Sequence, residues 1–171
     1  MAAPLPPAQT ALKSDSFGRI LRVQGAQGPF VRRDLGATPW WLRGPAWWLA
    51  RREARALRHL HGMADVPQLL GWNGRWLDRS YMAGDAMYQR PPHGQVAWFH
   101  AARRLLQQLH RRGVAHNDLA KEANWLVTED GRPALIDFQL AVIGHPRSRW
   151  MRLLAREDLR HLLKHKRMYC R

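Results

Sequence analysis

The sequence predicts an α+β protein, either as one domain or as two small lobes that share a cleft, and three observations in its 171 residues support this class. Short β-prone segments make up the N-terminal half, with one amphipathic helix between them, so a sheet is expected there. The C-terminal half begins with a long amphipathic helix and ends in a basic segment of helical character. The hydrophobic fraction of 46% is sufficient for a packed core, so global disorder is not expected.

Composition sets the predicted domain boundaries. Residues 1–12 open with proline and alanine and are predicted to be a flexible tail. One domain is predicted over residues 13–171, with an N-terminal lobe at about 13–82, a hinge at about 83–86 and a C-terminal lobe at about 87–171. The hinge is placed where an Ala-Gly-Asp tripeptide interrupts the pattern of strands and helices.

Two pairs of strands are predicted in the N-terminal lobe. The first covers residues 19–35, because Gly25 and Gly28 form a turn between the β-prone segments RILRV and PFVRRDL. The second pair surrounds the Asn73-Gly74 turn, a dipeptide that favours tight hairpins. The sequence therefore predicts four strands in this lobe.

A helix is predicted between these strand pairs and opens at Gly44-Pro45, since proline suits the first helical turn. Glu53 falls inside its apolar stripe, where a carboxylate is costly unless a cation meets it. We therefore expect Glu53 to have a basic partner. The stripe consists of Ala46, Ala50, Leu57 and Leu60.

The C-terminal lobe begins with a helix that ends at Gly113, a residue type common at helix C-termini. A loop and a strand follow in VAHNDLAKEANWLV, then a turn at residues 128–131 and a returning strand in RPALIDF. Residues 145–171 are basic and predicted to be helical. The apolar stripe of the first helix consists of Val96, Phe99, Ala102, Leu106 and Leu109.

The most informative segment, residues 114–141, contains two aspartates and an asparagine around this second hairpin. Asp118 lies in the loop before the first strand, Asn124 directly precedes that strand, and Asp137 lies at the end of the second. Because a hairpin brings its ends together, the three side chains can meet at one edge. Two carboxylates and an amide oxygen form a hard-cation site suited to Mg²⁺ that also holds phosphate oxygens.

The order H-x-D, then N, then I-D-F in this segment resembles the protein-kinase-like superfamily, in which H-R-D-x-x-x-x-N and D-F-G carry phosphoryl transfer. The resemblance covers about residues 13–145, with the elements in the expected order. Among the branches of the superfamily, the chain looks most similar to small bacterial kinases related to RIO-type and lipopolysaccharide-core kinases. The resemblance implies a protein-kinase-like two-lobed fold with a reduced C-terminal lobe.

Carried over position by position, the resemblance implies a role for each polar residue of this segment. Asp118 would orient the acceptor hydroxyl and take its proton, and Lys121 would contact the γ-phosphate of ATP. Asn124 would bind a second Mg²⁺, and Asp137 the Mg²⁺ that bridges the β- and γ-phosphates. His116 would be structural. A solvated surface side chain is an equally good interpretation of Lys121.

Three positions depart from the superfamily pattern. Asp118 and Asn124 are six positions apart where the pattern has five, as if Ala120 were inserted. Asn117 replaces the arginine before the catalytic aspartate, so control by a phosphorylated activation loop is not expected. Gln139 replaces the glycine of D-F-G, which is expected to reduce the mobility of that loop.

The strand lysine of the superfamily is replaced by arginine. Arg32 is the best match and Arg33 the alternative, and only one can enter the cleft because adjacent strand residues point to opposite faces. Glu53 is the expected ion-pair partner, since arginine binds carboxylates bidentately. Gly18 stands where the superfamily has a glycine-rich nucleotide loop, whose backbone amides face phosphate.

The chain is strongly basic, with 28 Lys and Arg against 13 acids and a net charge of +15. Such a charge favours anionic partners (nucleic acid, anionic lipid, nucleotide or phosphorylated sugar), with a solvated basic surface as the alternative. Residues 145–171 carry nine Lys and Arg and two acids. Trp40, Trp41, Trp47 and Trp48 lie beside arginines, as in membrane-interface or base-stacking surfaces, but at least two are expected to pack the helix onto the sheet.

We therefore expect a kinase that uses ATP and Mg²⁺ to phosphorylate a hydroxyl acceptor, either a protein Ser/Thr or a sugar-lipid. The alternatives are an inactive binding protein of kinase fold and a basic nucleic-acid-binding module; charge alone supports the latter, so nucleic acid is not the expected partner. The single cysteine, Cys170, fits a reducing compartment, and the N-terminus does not resemble a signal peptide. We expect a cytoplasmic protein that can bind peripherally at the inner face of the membrane.

Overall fold

The computed structural model describes residues 9–15, 17–26 and 28–171 and shows a mixed α+β fold. Its largest sheet contains five strands: β1 (Gln9–Asp15), β2 (Gly18–Gly25), β3 (Gly28–Asp34), β4 (Leu69–Trp72) and β5 (Trp76–Ser80). Neighbouring strands are antiparallel, in the order β1-β2-β3-β5-β4. Both predicted strand pairs are therefore confirmed, as β2–β3 and β4–β5.

The first strand corrects the predicted boundary of the N-terminal tail. Residues 9–12, predicted to belong to the tail, are part of β1 and pair with β2, for example Thr10 opposite Arg22. Without β1, the outer edge of β2 would present unpaired backbone groups, and the pairing satisfies them. The rest of the predicted tail, residues 1–8, lies outside the part of the chain that the structure describes.

Helix α1 (Arg43–His59) connects β3 to β4, with Gly44-Pro45 in its first turn as predicted. Most of its buried residues are alanines, which let the helix approach the sheet closely, and Ala46 and Ala50 pack in one cluster with Leu35. Glu53 is buried on the same face, as its position in the apolar stripe predicts.

The C-terminal half contains two helices and five short strands: β6 (Asp85–Ala86), α2 (Val96–Arg111), β7 (Val114–Ala115), β8 (Trp125–Val127), β9 (Pro133–Leu135), β10 (Val142–Ile143) and α3 (Arg149–Tyr169). The strands form a sheet of order β6-β8-β9 and a separate pair of β7 with β10. The predicted helix before Gly113, the hairpin and the basic helix are confirmed. Within the described residues, no helix has a stretch long and apolar enough to cross a membrane.

One hydrophobic cluster joins the helices to the short strands. It combines Leu57 of α1 and Leu106 of α2 with Trp125 of β8 and Leu135 of β9, all of them fully buried. α2 packs against both β9 and α3. The β8–β9 hairpin is therefore anchored on the main core, and the loops at its ends are held by rigid elements.

The predicted hinge at residues 83–86 is tied to this hairpin. Its second half, Asp85–Ala86, is β6 and pairs with β8. Gly84 has a φ of 145°, and a side chain there would bring its Cβ to 2.6 Å from the backbone oxygen of Val127. Only glycine fits this close approach of the two chain segments.

The tryptophans around the start of α1 are exposed. Their exposed fractions are 77% for Trp40, 63% for Trp41, 41% for Trp47 and 51% for Trp48. The expectation that at least two of them pack the helix onto the sheet is wrong, because alanines fill that face of α1. Trp47 lies beside Trp72 of β4, and Arg52 stacks over the ring of Trp48 at 4.5 Å.

Candidate active site

Asn124 and Asp137 lie at the same edge of the β8–β9 hairpin. Asn124 directly precedes β8. Asp137 lies two residues after the end of β9, with Ile136 between them. The backbone N–H of Ile136 donates to the backbone oxygen of Asn124 at 3.0 Å, which extends the strand pairing to this edge. The hairpin geometry inferred from the sequence pattern is the one that the structure shows.

Asp118 is fixed beside Asn124 by two hydrogen bonds. The side-chain amide of Asn124 donates to the backbone oxygen of Asp118 at 2.8 Å and to its carboxylate at 3.0 Å. A 3-10 turn over Glu122–Asn124 compacts the loop and makes this contact possible despite the additional residue. These two hydrogen bonds use the side-chain nitrogen of Asn124. Its side-chain oxygen, Oδ1, which is the atom that a cation would bind, therefore remains available for coordination.

Lys121 ion-pairs with Asp118, its Nζ lying 2.8 Å from the carboxylate. This hydrogen bond is the main cause that raises the pKa of Lys121, with the negative charges of Asp118 and Asp137 adding to it. The side chain is 64% exposed, so its ammonium group faces both the solvent and the carboxylate. Lys121 therefore lies at the candidate site rather than on a remote surface.

The Asp137 carboxyl is ionised more easily than an ordinary aspartic acid. Burial alone would raise its pKa, but the positive charges of Arg79 and Arg33 and a 2.8 Å hydrogen bond from Gln139 outweigh this effect and lower the pKa. Its backbone has a φ of 65°, which turns the chain sharply after β9. Asp137 thus offers a charged oxygen ligand at neutral pH.

His116 connects the two loops of the site. Its ring is fully buried, donates from Nε2 to the backbone oxygen of Ile136 at 2.9 Å and packs against Phe138 at 4.7 Å. Burial lowers the pKa of the imidazole, which favours the neutral form. The structural function implied for this residue is consistent with these contacts.

Asp158 of α3 holds the loop before Asp118, and the sequence reasoning missed it. Its buried carboxylate accepts hydrogen bonds from the backbone N–H groups of His116 and Asn117, both at 2.9 Å, and lies 2.9 Å from Nε2 of His110. The hydrogen bonds stabilise Asn117 in a left-handed conformation with a φ of 62°.

The sequence contains a signal that could have identified Asp158 as the residue that holds this loop. Asp158 lies four residues after Leu154 and four before Leu162, so it shares their face of the helix. Both leucines are buried, and Asp158 is 1% exposed. An acid on the apolar stripe of a basic helix needs hydrogen-bond donors, which here are the backbone N–H groups of His116 and Asn117 in the loop before Asp118.

We expect Asp158→Asn to lower the free energy of unfolding by about 1–3 kcal/mol, because an amide cannot accept from both backbone donors as a carboxylate does. Glu157→Gln is the matched control: this neighbouring acid is half exposed and pairs with exposed Arg160. Its change should stay within about 0.5 kcal/mol. Chemical denaturation of both variants measures the difference, and equal effects would contradict the anchoring function.

Glu53 lies between two arginines. Arg79 of β5 donates a hydrogen bond to its Oε1, and Nε of Arg33 lies 3.8 Å from its Oε2. The expected basic partner of Glu53 is therefore confirmed. Arg79 was not identified from the sequence.

The pairing of Glu53 with Arg32 is wrong, and Arg33 is the strand arginine that faces α1. Arg32 lies directly opposite Asp78 and binds it through two hydrogen bonds of 2.7 Å on the other face of the sheet. Successive side chains of a strand point to opposite faces, so Arg32 and Arg33 cannot both face α1. Arg33 lies two residues after buried Val31, so these two side chains share one face of the strand.

Gly18 is the first residue of β2 and pairs with Asp15 of β1. Its φ is 124°, and a Cβ there would approach the backbone oxygen of Asp34 to 2.5 Å. Packing of β2 against the end of β3 is therefore sufficient to require glycine. Its contact with a nucleotide phosphate stays a prediction.

The side-chain oxygens at the hairpin edge are of the kind that Mg²⁺ prefers. Within the described residues, no group of three or more His, Cys, Asp or Glu side chains is arranged to hold a metal. Mg²⁺ in phosphate-transferring sites is commonly bound by one or two protein oxygens, with water and phosphate completing the shell. Ionised Asp137 and the carbonyl oxygen of Asn124 can supply such a pair.

Comparison with known proteins identifies the family. The family model described as "Phosphotransferase enzyme family" (APH) matches residues 7–163, most of the chain. No curated protein gave a significant match. The matched range includes the sheet, the hairpin edge and Asp158 of α3. The chain therefore belongs to the phosphotransferase enzyme family, within the protein-kinase-like superfamily.

Proposed function

We propose that this protein is a kinase that transfers the γ-phosphate of ATP to a hydroxyl acceptor with the help of Mg²⁺. The observation that carries the proposal is the edge at which Asp118 contacts Asn124 while Asp137 lies across the hairpin. Membership of a phosphotransferase family supports it. The proposal includes a two-lobed, protein-kinase-like fold with a reduced C-terminal lobe and a hinge at residues 83–86.

Asp118 is the proposed general base. Its carboxylate would accept the proton of the acceptor hydroxyl as the acceptor oxygen bonds to the γ-phosphorus and the bond from that phosphorus to ADP breaks. Asn124 holds the carboxylate in place through its 3.0 Å hydrogen bond. Lys121, already 2.8 Å from the carboxylate, would move its charge to the γ-phosphate when the nucleotide is bound.

Asp137 and Asn124 are the proposed ligands of Mg²⁺, which when bound would neutralise charge on the β- and γ-phosphates. Gln139 limits the freedom of Asp137 through its hydrogen bond, in the place where the superfamily has a flexible glycine. Gly18 is proposed to bring the backbone at the start of β2 close to the phosphates.

The proposed acceptor is a protein Ser/Thr or a sugar-lipid, by similarity to RIO-type and lipopolysaccharide-core kinases. Both acceptors use the same transfer mechanism, so the site does not separate them. The test is Mg²⁺-dependent ATP turnover by the purified protein with acceptors of each class, wild type against Asp118→Asn. Turnover with one class only would identify the acceptor.

A binding protein without activity is the second candidate. It is favoured by the replacement of the strand lysine with Arg33 and by the ion pair that occupies Asp118. Mg²⁺-dependent nucleotide binding without turnover would support this candidate over the kinase. Salt-sensitive RNA binding without nucleotide binding would instead support a basic nucleic-acid-binding module.

We also propose that the acceptor is presented on an anionic membrane surface, reached through α3 and the exposed tryptophans of residues 40–48. α3 exposes two kinds of side chain that suit such a surface. Its exposed apolar residues are Trp150, Leu153, Leu163 and Met168. Its exposed basic residues are Arg149, Arg152, Arg156, Arg160, Lys164 and Arg167.

We expect the protein to co-sediment with vesicles containing anionic lipid, and to bind neutral vesicles poorly. Each basic residue near such a surface contributes about 1 kcal/mol to the free energy of membrane binding, and salt screens this attraction. Replacing Arg156 and Arg167 with glutamine should therefore weaken binding by about tenfold or more. The same substitutions at exposed Arg104 and Arg111 of α2 serve as the control. Binding that is indifferent to vesicle charge would favour a soluble protein acceptor.

A further inference from the structure

Three polar side chains of α3 face the loop that contains Asp118. Asp158, His165 and Tyr169 are separated by seven and then four residues, so they lie on one face of the helix, about two turns and one turn apart. Leu162 shares this face and packs in the main core. The face that anchors α3 therefore also presents three hydrogen-bonding groups to residues 116–124, which we call the Asp118 loop.

α3 contacts the Asp118 loop on both sides of the aspartate. Before it, the carboxylate of Asp158 accepts from the backbone N–H of Asn117 at 2.9 Å. After it, Nε2 of His165 donates to the backbone oxygen of Leu119 at 3.0 Å. His165 is 5% exposed and Leu119 is fully buried, so this hydrogen bond is shielded from water. The two residues that flank Asp118 are thus tied to one long helix.

Tyr169 extends this support to the turn that contains Asn124. Its hydroxyl donates to Oε1 of Glu122 at 2.8 Å, and Nδ1 of His165 lies 3.7 Å from the same oxygen. Glu122 is the first residue of the 3-10 turn, in which the backbone N–H of Asn124 donates to the backbone oxygen of Lys121 at 3.1 Å. The turn that places Asn124 is therefore held from α3 at its first residue.

Tyr169 is itself fixed at the end of α3. Its backbone oxygen accepts from the N–H of Gly94 at 2.8 Å, and its ring meets the ring of His93 edge-on with 5.1 Å between the centroids. The side chain also packs against the main core. Because these contacts already restrict the ring, the hydrogen bond to Glu122 orders few additional degrees of freedom.

We infer that His165 and Tyr169 are positioning residues, through which the last two turns of α3 hold Asp118 and Asn124 in the geometry that phosphoryl transfer requires. Each acts through a neighbour in the loop, His165 through Leu119 and Tyr169 through Glu122. The inference rests on the proposed function for its catalytic consequence. It also accounts for the additional residue between Asp118 and Asn124, since contacts from α3 restrict the freedom that a longer loop gains.

Tyr169→Phe tests the inference, because it removes one oxygen and keeps the ring in the core. Transfer of the γ-phosphate from ATP to water, measured in a single turnover with saturating Mg²⁺, should slow about tenfold or more, because displaced reacting groups lose much of their rate. The affinity for ADP without Mg²⁺ should stay within about twofold. Tyr88→Phe is the matched control, since this tyrosine is 56% exposed, and it should change neither quantity.

Substitutions of Glu122 separate positioning from general support of the fold. Glu122→Gln keeps an oxygen that accepts from Tyr169, so transfer should stay within about threefold of wild type, whereas Glu122→Ala should match Tyr169→Phe. The double variant Tyr169→Phe with Glu122→Ala should lose no more than either single variant, because both remove the same interaction. Rates are expressed per ADP-binding site, so unfolded molecules do not contribute. A lowered thermal stability with an unchanged rate per site would overturn the inference.

The donor on His165 is tested in the same way. His165→Gln retains an amide nitrogen that can donate to the backbone oxygen of Leu119, so most of the transfer rate should remain. His165→Leu removes the donor and should slow transfer about tenfold or more. Equal rates in the two variants would contradict positioning through Leu119.

Amide hydrogen exchange, followed by NMR on the full chain, tests the support of the turn without turnover. The N–H groups of Asn124 and Trp125 donate to backbone oxygens within the turn. Tyr169→Phe should accelerate their exchange about tenfold or more, the value of a hydrogen bond to a charged acceptor. The N–H of Thr128, which donates to Arg132 at the opposite end of the hairpin, is the internal control and should not change.

The outcomes distinguish this inference from the proposed function. Wild-type protein that transfers no phosphate would exclude the kinase, while faster exchange at Asn124 in Tyr169→Phe would still retain the support of the loop by α3. Wild-type transfer that Tyr169→Phe leaves unchanged would retain the kinase and overturn the inference. Unchanged exchange at Asn124 and Trp125 would overturn it as well.

Discussion

Asp118→Asn is expected to reduce phosphoryl transfer about 10²- to 10⁴-fold, the usual contribution of a general base, while nucleotide affinity stays within about twofold. The amide cannot take the proton of the acceptor hydroxyl. It keeps the size of the carboxylate and an oxygen that can still accept from Asn124, so the loop should retain its conformation. Single-turnover transfer and equilibrium binding of ATP measure the two effects separately.

Asp130→Asn is the matched control for this variant. Asp130 lies in the turn at the opposite end of the same hairpin, where it interacts with Thr128 and exposed Arg132. The same chemical change there should leave both transfer and binding unchanged. Transfer retained in Asp118→Asn would remove Asp118 from the mechanism, and transfer lost in both variants would indicate general damage to the hairpin.

Local patterns were sufficient to predict most elements of this fold. The turn glycines of β2–β3, the Asn73-Gly74 dipeptide and the apolar stripe of α2 each depend on residues close in sequence. The edge that joins Asn124 to Asp137 was also predictable, because one short hairpin connects them. Strand β1 was missed, because its Pro- and Ala-rich flank suggested a tail and its pairing with β2 is a tertiary contact.

The residues that the sequence reasoning missed depend on long-range contacts. Choosing between Arg32 and Arg33 needed the register of β3, since a shift of one residue exchanges the two faces of a strand. The apolar Val31, two residues before Arg33 and therefore on the same face of β3, could have decided it. Arg79 and Asp158 gave weaker signals, because their partners are 26 and 42 residues away in sequence.

Asp137→Ala is expected to remove most of the enhancement that Mg²⁺ gives to nucleotide binding, a loss of about 100-fold or more. Removing a charged ligand from a partly buried site costs about 3–5 kcal/mol when its cation is left uncompensated. Asn124→Ala removes a neutral ligand, so its loss of enhancement should be smaller. Titration of ADP with and without Mg²⁺ measures the ratio of the two affinities for each variant.

The two variants should also differ in ways that depend on their neighbours. Asp137→Ala leaves the positive charges of Arg33 and Arg79 facing the site, so binding of ADP without Mg²⁺ should be retained or strengthened. Asn124→Ala loses the hydrogen bonds that fix Asp118, so its turnover should fall by more than its loss of Mg²⁺-dependent binding explains. Equal losses of Mg²⁺ enhancement, or a larger loss for Asn124→Ala, would contradict the assignment of Asp137 as the principal metal ligand.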